Sequence, residues 1–224
     1  MVLWKNVDLR KKGIIVEKTP TISKGKKRID TYTIEGRNGF ICIDSGNYDP
    51  FVVSVECHFD PSVSSIDDIK EFLDGYGPVS FDGKREYTAI IQNSISFEKV
   101  SRFRSFLIQF LCNPISYDIN SESETIESSS TTFTIENANY KMYPVIEITG
   151  TGNIDVTINN KTFKLIDVND KCILDCENQV ITSNGINISN KMLYQFPYLN
   201  PGENTIDYIG NVTEFIITYR KAYL

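Results

Sequence analysis

The single histidine, His58, stands beside Cys57 in the run Glu56-Cys57-His58-Phe59-Asp60, and a thiol next to an imidazole is a pair from which a nucleophile and its base can be made. That chemistry needs the two side chains to converge, whereas neighbours along a strand point to opposite faces. The pair therefore reads as structural. Cys172 and Cys176, with Asp170, Asp175 and Glu177 nearby, have metal-binding donor types, but a closed zinc site takes four ligands. The chain offers no second close cysteine pair and no second histidine, so small apolar thiols packed in a core are expected. The acidic turn Asp167-Val168-Asn169-Asp170 has oxygen donors suited to calcium but lacks the spacing and the glycine of a dedicated loop. No Gly-x-Ser-x-Gly, phosphate loop or dinucleotide fingerprint occurs. Among 29 acids some pair at glycosidase spacing always exists, which signals nothing. The expectation is no catalytic, cofactor-binding or metal-binding residue, and no enzyme.

Aromatic residues could do a different job, stacking on sugar rings, and they make up 12% of the chain. The lone Trp4 lies far from the second half, where such a platform would sit, and no concentrated aromatic and polar site is visible over residues 117–224. A carbohydrate-binding module or adhesin for host cell-wall sugar is thus the alternative to a structural role.

The totals describe a chain that folds: 224 residues, 41% hydrophobic and 23% charged, too apolar for wholesale disorder. The five cysteines are odd in number and Met1-Val2-Leu3-Trp4-Lys5 begins no signal peptide, so intracellular synthesis with reduced thiols is expected. No apolar run reaches the ~20 residues that span a bilayer. The net charge of −6 is uneven: residues 1–37 hold ten Lys/Arg against four acids, and the rest thirteen against 25. The basic start comprises Arg10, Lys11 and Lys12, then Lys24, Lys26, Lys27 and Arg28. It lacks interleaved aromatics, so a solvated loop or a contact with an acidic protein surface is favoured over nucleic acid.

These residues sit on strands. Residues 29–48 alternate on either side of Gly36-Arg37-Asn38-Gly39, in which Asn38 and Gly39 are expected to supply the positive φ angles of a hairpin turn. An isolated ribbon is barely stable, so this hairpin is expected inside a larger antiparallel sheet. A strand follows at 51–59, then a helix at about 65–74, with Ser65 as N-cap, Ile66, Ile69, Phe72 and Leu73 as an apolar stripe and Gly75 as stop. Strands resume at 78–81 and at 86–97, where Tyr87, Ala89, Ile91, Ile95 and Phe97 share a face. Residues 103–111 read as a central strand covered on both faces and ended by Cys112-Asn113-Pro114. The predicted fold class is mainly β: two β-sandwich domains, 1–116 with the one short helix and 117–224 without. The second has strands at 131–135, 145–149, 155–158, 161–165, 172–175, 179–181, 191–194, 204–209 and 214–219, and a type II turn at Pro201-Gly202.

The closing runs, Phe196-Pro197-Tyr198-Leu199-Asn200-Pro201-Gly202-Glu203-Asn204-Thr205-Ile206 and Ile216-Ile217-Thr218-Tyr219-Arg220-Lys221-Ala222-Tyr223-Leu224, resemble the last strands of distal tail proteins of long-tailed bacteriophages. Tyr143-Pro144-Val145-Ile146-Glu147-Ile148-Thr149-Gly150 is similar to the segment that opens that family's second sandwich. Gly36-Arg37-Asn38-Gly39, Tyr48, Phe72-Leu73-Asp74-Gly75 and Phe110-Leu111-Cys112-Asn113-Pro114 fall in the family's order. No long insertion of the kind that carries extra carbohydrate-binding modules in some relatives is evident. The resemblance implies a hexameric ring at the tip of the tail tube, formed by the first domain. The second, galectin-like domain would hold a receptor-binding protein. Further implied partners are the tail tube protein and a tail-tip (tail-associated) protein, with DNA passing through the ring without specific binding and no membrane contact. The implied place is the virion, at the phage tail tip, after synthesis in the host bacterial cytoplasm.

Overall fold

A computed structural model describes residues 1–97, 100 and 104–224, and its contacts divide the chain into two units, Met1–Ser116 with Leu224, and Tyr117–Tyr223. Phe103, where the expected strand 103–111 begins, lies outside the described residues. Both units are built mainly of strands, so the expected fold class is borne out.

In the first unit, neighbouring strands run in the order Val7–Asp8, Leu3–Trp4, Tyr76–Ser80, Arg85–Ile91, Ser105–Asp118, Phe51–Phe59 and Ile14–Val16. Strict alternation along Phe51–Phe59 buries Phe51, Val53, Val55, Cys57 and Phe59, and Val53 and Val55 stand opposite the buried Phe110 and Ile108. The helix Ile66–Leu73 begins with a reciprocal cap: the Asp68 N–H donates to Ser65 Oγ at 3.2 Å, and the Ser65 N–H to the Asp68 carboxylate at 3.0 Å. Ile69 and Leu73 enter the core. Trp4 ties the parts together. It is fully buried, its Nε1–H donates to the Phe72 carbonyl at 2.9 Å, and its ring centroid lies 5.3 Å from that of Phe110. One side chain thus joins the N-terminal strand, the last turn of the helix and a central strand.

Two strand expectations in this unit need correction. The strand expected over 86–97 stops at Ile91, and Ile95 and Phe97 lie beyond it, partly buried against the core. Asn93 explains the stop, because its amide donates to the Leu107 carbonyl at 2.8 Å and accepts the Gln109 N–H at 2.7 Å. A side chain takes the place of the next rung of backbone. The strand Ser105–Asp118, conversely, continues through Cys112-Asn113-Pro114. Its pairing with Phe51–Phe59 ends at Cys112, so the missing N–H of Pro114 breaks no rung of that ladder. Nor is it covered on both faces: Ile108, Phe110 and Cys112 are buried, but Leu107 is 39% exposed.

The second unit is organised by two long strands, Val145–Ile158 and Gly202–Tyr219, which pair antiparallel along most of their length. The sequence suggests four shorter strands here. Both chains instead pass through register shifts between Thr149 and Asp155, where bulges bend them without ending them. Gly150 and Gly210 permit this: a Cβ at Gly150 would collide with the Asn211 carbonyl, and Gly210, at φ 139°, lies against the backbone of Asn153 and Ile154. At one end the pair is flanked by Glu122–Thr125 and Lys171–Asp175, at the other by Ser130–Ile135 and Lys161–Val168. Residues expected as a strand over 191–194 are split between a 3-10 turn, Ser189–Lys191, and the two-residue strand Met192–Leu193. Gly202 has φ 87°, and behind its turn lies Asn204, wholly buried. The Asn204 side chain accepts from Asn159 Nδ2 and the Asn200 N–H, and donates to the carbonyls of Asn200 and Gly202. Three of these bonds hold its own turn and the fourth ties that turn to the end of the strand Val145–Ile158.

Replacing Asn204 by Ala removes four hydrogen bonds to half-buried groups of Asn159, Asn200 and Gly202, and is expected to cost about 2 kcal/mol or more. Ser65→Ala, which removes only a cap, is expected to cost about 1 kcal/mol in the first unit. Denaturant titration should place Asn204→Ala as the more damaging of the two.

Cys57, Cys112, Cys172 and Cys176 are buried and free, and only Cys42 among the five is exposed. Burial pushes the thiols of Cys57, Cys112 and Cys176 up to about 12 and that of Cys172 upward, so none of the four forms a reactive thiolate near neutral pH. A thiol titration of the dilute native chain at pH 8 is expected to label Cys42 alone, with the other four appearing on unfolding.

Candidate functional site

The catalytic candidates do not converge. Cys57 is buried while His58 is half-exposed on the opposite side of its strand. Among the described residues no group of three or more His, Cys, Asp or Glu is placed to hold a metal ion. Asp175 spends its carboxylate on its own turn, accepting from the backbone of Glu177 and Asn178 and from Asn178 Nδ2.

A different feature of the first unit stands out. Among the described residues the hairpin Lys27–Tyr32 with Ile41–Tyr48 belongs to no larger sheet; it is a two-stranded ribbon, which corrects the expectation that further strands flank it. Along both strands every residue is exposed except the half-buried Tyr48. Directly opposed residues share a face, so Tyr32 and Ile41, and Asp30 and Ile43, lie on one side, and Thr31 and Cys42, and Ile29 and Asp44, on the other. Tyr32, Ile41 and Ile43 are 54%, 44% and 53% exposed, and Phe40, beside the turn, 66%. The turn also differs from its expected form: Gly36 (φ 78°) and Gly39 (φ 91°) hold the left-handed positions, and Asn38 does not. Neither glycine has a neighbour within 4 Å of a built Cβ, so what they supply is backbone freedom alone.

The hairpin's base is fixed. The Asp49 N–H donates to the Lys26 carbonyl at 2.7 Å, and Gly25 is buried so closely that a Cβ would lie 2.9 Å from Pro114 Cβ.

The basic residues of the sequence lie around this base and along a 3-10 turn, and three of the seven, Arg10, Lys27 and Arg28, are paired with acids. Arg10 donates to Asp8 through Nε and Nη2, which holds the Asp8 carboxyl below its usual range. Lys27 pairs with Asp44, raising the one and lowering the other, and Arg28 Nε donates to Asp49 at 2.6 Å. Lys24 and Lys27 approach the Tyr48 ring, and Lys12 that of Phe72. Lys11 and Lys26 are exposed. Arg10, Lys12, Lys27 and Arg28 therefore serve local structure, which sequence reading missed because Asp8, Asp44 and Asp49 carry no signal of pairing.

Residues 128–223 match the family model described as the siphovirus-type tail component, C-terminal domain. No curated protein sequence matches the chain significantly. Among solved structures, the chain is similar to the Dit protein (gp 19.1) of phage SPP1, described as a paradigm of the hub adsorption apparatus in phages infecting Gram-positive bacteria. The TM-score is 0.78 at 14% identity, over 100% of this chain and 98% of that one. It is also similar to a chain of the phage p2 baseplate in its activated conformation with Sr, at TM-score 0.50 and 9% identity, over 94% and 92% of the two chains. The resemblance to phage distal tail proteins read from the sequence is thus borne out: the chain has the fold of the SPP1 Dit protein along its whole length, and residues 128–223 match the siphovirus-type tail component model.

Proposed function

We propose that this phage tail component works as a distal tail hub: six copies close into a ring through the first unit, joining the tail tube to the tail tip. The second unit then holds the receptor-binding apparatus. The observation that carries this reading is the hairpin. A two-stranded ribbon is marginally stable in water, and this one exposes apolar side chains on both faces and leaves both outer edges unpaired. A second copy of the chain that covers it removes all three costs at once. In this proposal the hairpin docks on a different part of the neighbouring copy, which makes the contact head-to-tail, and a head-to-tail contact that closes makes a ring. The SPP1 Dit protein is described as a paradigm of a hub adsorption apparatus, which supports a hub role here.

In this reading Lys11, Lys24 and Lys26 meet acidic groups of adjacent protein. DNA passes without specific binding, because each Lys or Arg held on phosphate would add salt-dependent retention.

Light scattering is expected to give the mass of six chains, and negative-stain images to show rings. The double variant Phe40→Asp, Ile43→Asp should be monomeric at concentrations where the wild type is assembled, with both units folded and a stability within about 0.5 kcal/mol of the wild type diluted to monomer, as for surface substitutions. A strict monomer for the wild type at high concentration would overturn the proposal. Changing Lys11, Lys24 and Lys26 to Ser should weaken assembly, most of all at low salt where the lost pairs count for more. Tight duplex binding at physiological salt, lost in that variant while assembly stays intact, would assign the stretch to DNA.

A further inference from the structure

The outermost strands of the second unit are Glu122–Thr125, Ser130–Ile135, Ile186–Asn187 and Met192–Leu193, each paired on one side only. Three of them are poor templates for a further strand. Ile186–Asn187 and Met192–Leu193 are two residues long, and Glu122–Thr125 carries Glu122 and Glu124. Ser130–Ile135 has neither protection: it is six residues of Ser, Thr, Phe and Ile, without charge or proline, in unbroken register with Gly202–Tyr219. One hydrogen bond shows which of its backbone groups are open. The Tyr208 N–H donates to the Ser129 carbonyl at 2.9 Å, and groups alternate sides along a strand. Those of Thr131, Phe133 and Ile135 therefore turn toward Gly202–Tyr219, and those of Ser130, Thr132 and Thr134 turn away. Ser128 Oγ donates to the Ser130 carbonyl at 2.7 Å, whereas the N–H and C=O of Thr132 and Thr134 have no partner among the described residues. Both threonines are exposed, and between them Phe133 is half-buried, its ring stacked on Tyr219 at 6.2 Å.

We propose that this edge takes up an extended strand of a different polypeptide, apolar on one face and free of acidic residues on the other. This rests on the second unit's role of holding the receptor-binding apparatus, and it says where the hold is. Two donors and two acceptors repeating every ~6.8 Å along a straight edge match the backbone of another strand. A helix uses its backbone groups internally, and an ion finds no charge on Ser130–Ile135 to pair with. The two faces set the side chains of the incoming strand. Thr131, Phe133 and Ile135 turn to the covered face, where an apolar residue beside Phe133 extends the packing. Ser130, Thr132 and Thr134 share the other face with Asp207 and Glu203, which stand exposed opposite Ser130 and Thr134 and repel an acidic strand. The edge of a second copy does not fit a ring. Neighbours in a ring of six are related by a sixth of a turn, whereas identical edges pair antiparallel only across half a turn.

The test is amide hydrogen exchange of the full chain with and without the peptide acetyl-Lys-Val-Thr-Val-Thr-Val-Lys-amide, its affinity read by fluorescence anisotropy of a labelled copy. Binding is expected with a dissociation constant of about 1 mM or tighter, and new protection confined to residues 130–135. The same peptide methylated on every backbone amide should not bind, and its acidic counterpart, with Glu in place of Lys, should bind more weakly. Thr132→Pro removes an outward N–H and no rung of the chain's own ladder. It should bind the peptide about tenfold more weakly than Thr132→Ala, which keeps that N–H. Circular dichroism checks that both variants fold, and the methylated peptide decides the matter if the proline variant does not. No binding, binding kept by the methylated peptide, or protection elsewhere would overturn the proposal. Protection of residues 130–135 that rises with protein concentration alone would overturn it too, by giving the edge to a second copy. Light scattering judges the ring and exchange at 130–135 judges the edge, so either can fail while the other stands.

Discussion

Backbone amides and carbonyls that leave water must find partners, and in a chain built mostly of strands this requirement shapes nearly everything else. In the second unit it is met by running Val145–Ile158 and Gly202–Tyr219 side by side through a bend, so that one strand pair serves different neighbours at its two ends. Glycines at the bend allow it. In the first unit Asn93 finishes a ladder with its side chain, and Trp4 closes the gap between strand and helix end. The requirement is left open in one conspicuous place, the hairpin of residues 27–48, whose strands have only each other.

What the sequence makes legible follows from how local each signal is. The strand Phe51–Phe59 has a two-residue alternation written in five buried side chains, and the helix Ile66–Leu73 has its cap and its stop within ten residues of chain. The bends in the long strands are not legible, because Gly150-Thr151-Gly152-Asn153 and Gly210-Asn211 look like turns until they are set opposite one another. The same holds for Asn204, an ordinary polar residue by sequence, whose partners include Asn159 from another strand end. The hairpin's apolar alternation is visible in the sequence. Its isolation is not, since nothing in residues 29–48 says whether the partner that covers them is the same chain or another.

The candidate surface shows the same division. The basic residues stand out by count, yet Asp8, Asp44 and Asp49 take up Arg10, Lys27 and Arg28 within the chain. The apolar residues of the ribbon, individually unremarked, remain uncovered. Exposed ion pairs of this kind contribute little to stability, whereas a contiguous apolar face in water is a standing cost that association removes. Charge therefore shapes the base of the hairpin, and apolar area is what the proposed assembly would cover.

The claim on which the account rests is that the hairpin is covered by a second copy of the chain. Amide hydrogen exchange over residues 27–48, measured across a range of protein concentrations, tests it most directly. The account predicts rapid exchange in the dilute monomer and strong protection once the chain assembles, with the buried strands of the second unit unchanged throughout. Rapid exchange of the hairpin at every concentration, in a sample that light scattering shows to be oligomeric, would contradict it.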